Sequence, residues 1–161
     1  MASQLSSMKA MTVLEYGPGT GVLTEELFDR MVPDAQFLAI EINPQLARVF
    51  RAQHPGVPLV VGNAIDARQI CTEAGIESVD AVMSGLPWGW FSESLQRELL
   101  DAMMDVLRPG GLFVTFCHLH GLATPGGRRF RKLLSTYFSD VSRTRAVWSN
   151  IPPAAVYRCI R

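Results

Sequence analysis

Hydrophobic residues occur along this chain in short runs that alternate with stretches of helical spacing. The first run, residues 12–16, leads directly into a glycine-rich segment at residues 17–21, and apolar side chains then recur at helical spacing through residues 22–31. This order predicts a β-strand, a tight loop and an α-helix. Because the same order repeats further along, parallel strands joined by helices are the simplest arrangement.

The rest of the chain continues this alternation. Strands are predicted at residues 36–42, 58–61, 79–84, 112–118, 141–148 and 155–159, and helices at residues 44–54, 66–73, 92–107 and 126–138. The strands are nearly continuous in Val, Leu, Ile and Phe, which is typical of a sheet covered on both faces. We therefore predict one α/β domain that spans residues 1–161.

Composition supports a folded domain. Hydrophobic residues make up 48% of the chain and charged residues 19%, which excludes a disordered protein. No apolar run approaches the roughly 18 residues of a membrane span, and residues 1–9 lack the apolar core of a signal peptide. Cys71, Cys117 and Cys159 are too scattered for a metal site or a disulfide framework. These features predict a cytoplasmic protein with reduced thiols.

Charge is distributed unevenly, although the formal net charge is zero. From Arg108 onward nine basic residues and one acid, Asp140, give a charge of +8, whereas residues 1–107 carry −8. Four of the basic residues lie on the predicted helix at residues 126–138. Such a helix can face the phosphates of anionic lipids or of RNA. An ordinary solvated helix face is the other interpretation.

The segment E-Y-G-P-G-T-G, residues 15–21, lies where the first strand turns into the first helix. Glycines at this spacing let the backbone approach a ligand closely. The spacing differs from that of dinucleotide-binding loops, the Lys of a phosphate-binding P-loop is missing, and the acid in front would repel a pyrophosphate. The segment therefore favours a cationic ligand without phosphate; a tight turn with no ligand is the alternative.

Two polar positions follow the next two strands. Glu41 ends the second strand about 20 residues beyond the glycine loop, where a carboxylate can accept hydrogen bonds from both hydroxyls of a ribose. Asn63 follows the third strand, where its side chain can meet the edge of an adenine. The competing interpretations are a solvated acid near a helix that Asn43 caps, and an ordinary turn at residues 62–64.

Taken together with S-G-L-P at residues 84–87, these segments resemble the class I methyltransferase family over residues 12–118. The resemblance implies a Rossmann-like, doubly wound, mostly parallel sheet of about seven strands. It also implies S-adenosylmethionine as cofactor, with the glycine loop around the methionine part, Glu41 on the ribose and Asn63 on the adenine. The cofactor-binding residues it implies are Glu15, Tyr16, Gly17, Gly19, Thr20, Gly21, Glu41, Ile42, Asn43, Gly62, Asn63, Ala64, Ser84, Gly85 and Leu86.

A more specific resemblance is to the bacterial phospholipid N-methyltransferases that act on phosphatidylethanolamine. It rests on V-L-E-x-G-P-G-T-G, S-G-L-P, L-R-P-G-G, F-V-T-F and W-x-N-I-P-P-A-x-V-Y-R, the last at residues 148–158. It implies methylation of a phospholipid amine, a membrane surface with anionic lipids as partner rather than nucleic acid, and a place at the inner face of the membrane. Because that family carries a longer amphipathic N-terminal segment, we expect residues 1–161 to lack an N-terminal helical segment.

The segment Ser84-Gly85-Leu86-Pro87-Trp88 ends the fourth strand, where a methyl acceptor is expected to enter. Methyl transfer to an amine depends more on alignment than on a strong base. Our candidate catalytic residues are Ser84, Tyr16, His120 and Tyr157, and His118 is a further candidate proton acceptor that we place with His120 on one strand face. Trp88, Trp90 and Tyr157 are candidates for enclosing a methylated ammonium.

Two other functions remain open from the sequence. An RNA adenine N-methyltransferase is disfavoured because Ser84 and Trp88 depart from the Asn or Asp and the Tyr or Phe that those enzymes carry at these positions. A module that binds the cofactor without turnover belongs to a different class and is consistent with the short segment before the first strand. No metal site is expected, because two histidines without a third ligand do not form one.

Overall fold

The computed structural model describes residues 11–29, 31–32, 34–144 and 154–161, and the backbone alone at Leu119 and His120. Strands β1 to β7 are Thr12–Tyr16, Gln36–Glu41, Leu59–Val61, Val79–Ser84, Leu107–His118, Asp140–Arg143 and Ala154–Ile160. Helices α1 to α6 are Val22–Phe28, Pro44–Gln53, Ala67–Glu73, Glu93–Val106, Leu119–Ala123 and Pro125–Tyr137, and short 3₁₀ helices lie at Ala64–Asp66 and Trp88–Trp90.

The seven strands form one sheet in the order β3-β2-β1-β4-β5-β7-β6. Strands β1 to β5 pair in parallel, and β7 runs antiparallel to both β5 and β6. The chain winds outward in both directions from β1 and β4, so a crevice opens beyond the carboxyl ends of these two strands. The prediction of a doubly wound, mostly parallel sheet of about seven strands is confirmed.

Both faces of the sheet are covered, as the continuous apolar strands predict. On one face Leu14 and Tyr16 of β1 pack with residues of α3, α4 and α6. On the other face Val13 packs with Leu27 of α1 and Phe50 of α2. This division follows from the alternation of side chains along a strand.

Helices α2 and α6 begin at the carboxyl edge of the sheet with polar caps. Asn43 precedes α2, and its side chain accepts hydrogen bonds from the backbone N–H groups of Gln45 and Leu46. Thr124 caps α6 in the same way through Gly127 N–H, with proline as the first helical residue. These caps satisfy backbone donors that have no partner inside the helix. The sequence therefore sets where the helices begin beside the crevice.

The bounds of α1 and β5 differ from the prediction. Helix α1 ends at Phe28, three residues before the predicted end. Strand β5 begins at Leu107, five residues before the predicted start, because Leu107 pairs with Val79 and the register then shifts. The extra residues form an irregular stretch in which Gly110 has a φ of 72°, as is usual for a strand irregularity. The P-G-G segment therefore sits within β5 instead of separating it from α4.

The two histidines do not share a strand. Strand β5 ends at His118, and helix α5 begins at the next residue, so His120 lies in a helix. The side chain of His120 lies outside the described residues, as do residues 145–153, which include half of the strand predicted at 141–148 and the N-I-P-P segment. Among the described residues, no helix has both the length and the apolar character needed to cross a bilayer.

Asp80 fastens the edge of the sheet opposite the crevice. Its carboxylate accepts hydrogen bonds from the N–H groups of Met11 and Thr12 at 2.8 and 2.9 Å and from Arg108 at 2.5 Å. Burial by itself would raise the pKa of Asp80, but these hydrogen bonds outweigh it and lower the pKa below its ordinary value. The start of β1 and the irregular part of β5 are thereby tied to β4.

Replacement of Asp80 by Asn is expected to lower the free energy of unfolding by about 2 kcal/mol at pH 7. Because the folded-state pKa is depressed, the stabilisation exists above the unfolded pKa and disappears as pH falls through the folded one. Urea titrations at pH 7 and pH 3 measure both effects, with the exposed Glu77→Gln as control. An equal loss at both pH values would contradict the ionic role of Asp80.

Candidate functional site

The glycine loop between β1 and α1 is built for close approach of its backbone. Gly17, Gly19 and Gly21 have φ values of 64°, 62° and 95°, which side-chain-bearing residues rarely adopt. A Cβ atom on Gly17 would lie 2.7 Å from Cδ2 of Leu86, and one on Gly21 would overlap the ring of His54. Side chains therefore do not fit at Gly17 and Gly21, where Leu86 and His54 pack against the loop.

Glu41 fixes the loop from the end of β2. Its Oε2 accepts the N–H of Gly19 at 3.0 Å and its Oε1 accepts the N–H of Asn43 at 2.9 Å, while the side chain is 5% exposed. A carboxylate has about four acceptor sites, so each oxygen keeps capacity for another donor. Glu41 is therefore both a structural clamp for the loop and an acceptor for a ligand's hydroxyl groups.

A cavity of about 320 Å³ opens beside the loop, within the size range of small-molecule sites. It brings together seven residues that the sequence predicted as cofactor contacts: Gly17, Glu41, Ile42, Gly62, Asn63, Ala64 and Leu86. The Oδ1 atom of Asn63 accepts the N–H of Ile65 at 3.2 Å. The amide N–H groups of Asn63 are thus the part of this side chain suited to a ligand.

Other predicted cofactor contacts do not line this cavity. The side chain of Asn43 caps α2. The surrounding loops are formed by Gly19, Thr20, Gly21, Ser84 and Gly85. Glu15 and Tyr16 are buried below the loop, with exposures of 1% and 0%. The side chains of Glu15 and Tyr16 thus lie below the loop and that of Asn43 caps α2, and cofactor binding by these three residues stays a prediction.

Four residues of the cavity wall were not predicted from the sequence: Ile40 of β2, Phe91 just before α4, and Leu95 and Leu99 of α4. The spacing of four residues between Leu95 and Leu99 places these two on one helix face. That spacing was visible in the sequence, but an apolar helix face there is equally compatible with pure core packing.

Ser84 organises the loop that follows β4. Its Oγ accepts the N–H of Leu86 at 3.2 Å and the indole N–H of Trp88 at 3.0 Å, and its side chain is fully buried. The hydroxyl of Ser84 is thus engaged within this loop, and its action on a substrate stays a prediction. Ser84 holds residues 85–88 in place, because its hydroxyl is committed to that loop.

Trp88 is the buried anchor of this loop. It is 2% exposed and stacks on Phe130 of α6, with ring centroids 4.5 Å apart and planes at 15°. The fully buried Gln96 of α4 donates to the carbonyl oxygens of Trp88 at 2.7 Å and Gly126 at 3.1 Å. Gln96 was missed from the sequence, because a lone glutamine in a helix carries no signal of such a role.

Glycines allow α5 and α6 to pack directly on the same loop. A Cβ atom on Gly126 would overlap the carbonyl of Gly89, and one on Gly127 would overlap the carbonyl of Gly121. Thr124 bridges the same region by donating to the carbonyl oxygens of Gly89 and Gly121. The loop after β4 is therefore held on three sides, by Ser84, by Gln96 and by the α5–α6 corner.

A second cavity of about 110 Å³ lies between this loop and the end of β5. Its walls are Gly85, Leu86, Pro87, Trp88, Gly89, Trp90, Phe116, Cys117, His118 and Gly121. Leu86 lines both cavities, so the two sites are neighbours that share one wall. This arrangement suits the transfer of a small group between two ligands.

Tyr16 and Tyr157 do not reach either cavity. They are 0% and 2% exposed, and burial raises the pKa of both phenols above the ordinary value. The catalytic role of these tyrosines stays a prediction, which their burial does not favour. Of the aromatic residues predicted to enclose an ammonium, Trp88 and Trp90 line the second cavity, where Trp90 is 68% exposed, and Tyr157 does not.

Glu15 is buried directly beneath the glycine loop, where ionisation of its carboxyl group is unfavourable. Its Oε2 accepts the hydroxyl of Thr24 at 2.7 Å, and its Oε1 has no hydrogen-bond partner among the described residues. Burial raises the pKa of Glu15 from 4.5 to about 7, and the Thr24 hydrogen bond offsets part of this effect. The carboxyl group is therefore neutral in the folded chain under mildly acidic conditions.

Replacement of Glu15 by Gln is expected to flatten the pH dependence of stability. Between pH 4.5 and about 7 the folded carboxyl keeps its proton while the unfolded one ionises, so the free energy of unfolding falls as pH rises. The variant is expected to gain up to about 3 kcal/mol over the wild type at pH 8 and little at pH 4.5. Urea titrations at these pH values, with the exposed Glu25→Gln as control, test this; parallel curves would refute it.

Comparison with known proteins identifies the family of this chain. A family model described as a methyltransferase domain matches residues 13–111. The ornithine lipid N-methyltransferase of Singulisphaera acidiphila is 34% identical over 153 residues, covering 93% of this chain and 76% of that protein.

Solved structures share the fold at low sequence identity. The O-methyltransferase TomG from Streptomyces achromogenes, in complex with S-adenosylmethionine, has a TM-score of 0.75 at 20% identity and covers 99% of this chain and 77% of its own. An O-methyltransferase from Bacillus cereus, in complex with S-adenosylhomocysteine, has a TM-score of 0.78 at 16% identity, with coverages of 99% and 78%. This chain belongs to the class I methyltransferases, enzymes that use S-adenosylmethionine as methyl donor.

Proposed function

We propose that this methyltransferase methylates the amine of a membrane-lipid headgroup of the phosphatidylethanolamine type. The observation that carries the proposal is the second cavity, which adjoins the cofactor cavity through Leu86 and has no carboxylate among its described lining residues. The lipid N-methyltransferase similar to this chain supports the same substrate class. A cavity of this kind favours the neutral form of an amine, which is the form that reacts.

The residues around the larger cavity fit S-adenosylmethionine. When bound, this cofactor supplies a methyl group attached to a sulfonium centre. Gly17 lines the cavity with its backbone, and a side chain at this position would collide with Leu86. Glu41 can accept further hydrogen bonds from hydroxyl groups, and the amide N–H groups of Asn63 can donate to a ligand. We assign these residues to the methionine part, the ribose and the adenine respectively.

The residues around the smaller cavity position the acceptor. Leu86 forms the wall shared with the cofactor cavity, and the hydrogen bonds of Ser84 and Gln96 keep the loop that carries it rigid. Rigid alignment of two reactants supplies much of the acceleration in a transfer of this kind. His118 is the imidazole among the described lining residues, and we assign it to receive the proton that the amine loses.

The surface around the smaller cavity suits contact with anionic lipids. Helix α6 begins beside Gly89 and presents Arg128, Arg131 and Lys132 as exposed residues, and Trp90 is exposed at the cavity. Tryptophan favours the interface between lipid and water, and each cation near an anionic membrane contributes about 1 kcal/mol. Arg129 is instead engaged with Gln96 and with the carbonyl of Phe91.

The main experiment is transfer of a labelled methyl group from S-adenosylmethionine to vesicles. Phosphatidylethanolamine, ornithine lipid and RNA are offered in separate reactions, with phosphatidylcholine vesicles as the lipid control without a free amine. We expect labelling of phosphatidylethanolamine and at least a tenfold loss in Glu41→Ala, since the loop clamp and the proposed ribose contact are both removed. The exposed Glu77→Gln is the control.

The outcomes of this experiment separate the candidate functions. Labelling of ornithine lipid alone would keep lipid N-methylation and overturn the headgroup assignment. Labelling of RNA alone would overturn the lipid assignment. No transfer to any acceptor, with cofactor binding intact by calorimetry, would contradict the proposed activity and favour a binding module.

A separate prediction concerns the basic surface of α6. Arg128→Ala is expected to weaken binding to vesicles with 30% anionic lipid by about fivefold, because one exposed cation near the surface is lost. Arg48→Ala, on the exposed surface of α2, is the matched control and should bind like the wild type. Co-sedimentation at low and high salt measures both; equal losses in the two variants would contradict a specific role of α6.

A further inference from the structure

We infer that the smaller cavity is a subsite for methylated amines in which Trp90 and Phe116 determine specificity, so that headgroups already carrying one or two methyl groups are preferred over the primary amine. This inference rests on the proposed lipid N-methylation and refines it. It concerns the order in which acceptors are favoured, which neither the family nor the relatives specify.

Aromatic rings from two elements line the subsite. Phe116 and His118 lie two residues apart on β5 and therefore on one face of the strand, with ring centroids 5.2 Å apart and planes at 72°. Trp90 comes from a different element, the loop after β4, and lines the same cavity. A group bound in the cavity therefore meets aromatic side chains from two separate elements.

The position of Trp90 is set by its buried neighbour. Trp88 is locked by its hydrogen bond to Ser84 and by its stack on Phe130. The backbone N–H of Trp90 donates to the carbonyl oxygen of Pro87 at 2.9 Å, which closes a 3₁₀ turn. The backbone of Trp90 is thus fixed, while its side chain remains 68% exposed and accessible to a ligand.

The chemistry of the lining favours methylated over unmethylated amines. Among the described residues of the lining there is no Asp or Glu, and the side chains are apolar or aromatic apart from Cys117 and His118. A primary ammonium loses strong hydration on entering such a site and finds no carboxylate in return. Each methyl group reduces that hydration and adds contact with the rings, and aromatic faces attract alkylated ammonium groups.

The size of the cavity agrees with this ligand. Its volume of about 110 Å³ is about a third of the 320 Å³ of the cofactor cavity. A cavity of this size accommodates the substituted nitrogen end of a headgroup, while the larger phosphate and acyl parts stay outside it. The subsite therefore senses the substituents on nitrogen and not the remainder of the lipid.

A kinetic test compares three lipids that differ only at nitrogen: phosphatidylethanolamine and its monomethyl and dimethyl derivatives. For the wild type we expect kcat/KM to be at least threefold higher for the dimethyl lipid than for the unmethylated one. Trp90→Leu and Phe116→Leu keep apolar volume but remove a ring, and each is expected to raise KM for the dimethyl lipid about fivefold and KM for the unmethylated lipid by a clearly smaller factor. Phe28→Leu, a half-exposed aromatic outside both cavities, is the control.

A binding test works without turnover and without cofactor. The indole N–H resonance of Trp90 is followed by NMR during titration with tetramethylammonium chloride and, at equal ionic strength, with ammonium chloride. We expect saturable shifts with tetramethylammonium only, and their loss in Phe116→Leu but not in Phe28→Leu. Identical responses to the two salts, or equal kinetic losses for all three lipids, would overturn the inference.

The two tests distinguish failure of the inference from failure of the proposed function. If no lipid is methylated but tetramethylammonium shifts Trp90 in the expected way, the proposed function fails and the subsite stands. If lipids are methylated without preference and the shifts are absent, the proposed function stands and the subsite assignment fails.

Discussion

The contact between the loops after β1 and β4 is the constraint on which the site depends. The N–H of Gly85 donates to the carbonyl of Tyr16 at 2.8 Å, and a Cβ atom on Gly85 would lie 2.5 Å from the carbonyl oxygen of Gly17. The backbones therefore touch at the point where the strand order reverses. Because Leu86 follows directly, it becomes the wall between two cavities, and a donor and an acceptor can be held next to each other.

Polar groups around the site divide into those that build it and those that face a ligand. Ser84, Gln96 and Thr124 are hydrogen-bonded to the loop after β4 and to the helices behind it. Their partners are mostly backbone carbonyls and one indole, so the loop keeps its shape without a ligand. Trp90 and His118 remain at the cavity surface. Pre-organisation of this kind lowers the cost of aligning reactants at the moment of transfer.

The two buried glutamates beside the glycine loop show how burial produces different chemistry in similar positions. Glu15 of β1 pairs in register with Ala39 of β2, and Glu41 lies two residues beyond Ala39 on β2. Both carboxyl groups are therefore on one face of the sheet. Glu41 receives two backbone N–H groups, whereas Glu15 receives one hydroxyl and has its pKa raised by burial. The same part of the fold thus holds Glu41, whose two carboxylate oxygens both accept hydrogen bonds and which faces the cavity, and Glu15 below it, whose ionisation burial disfavours.

The sequence by itself determined the order of strands and helices, the covered sheet, the glycine loop and the place of Glu41, because hydrophobic period and glycine spacing are local properties of the chain. Only the tertiary structure decided which side chains reach the cavities. Tyr16, Ser84 and Tyr157 were predicted to act on a substrate and are buried, while Phe91 and Gln96 were not singled out and hold the site. The reason is physical: burial and hydrogen-bond partners depend on residues distant in sequence, such as Gly126 beside Gly89, and no local pattern encodes those contacts.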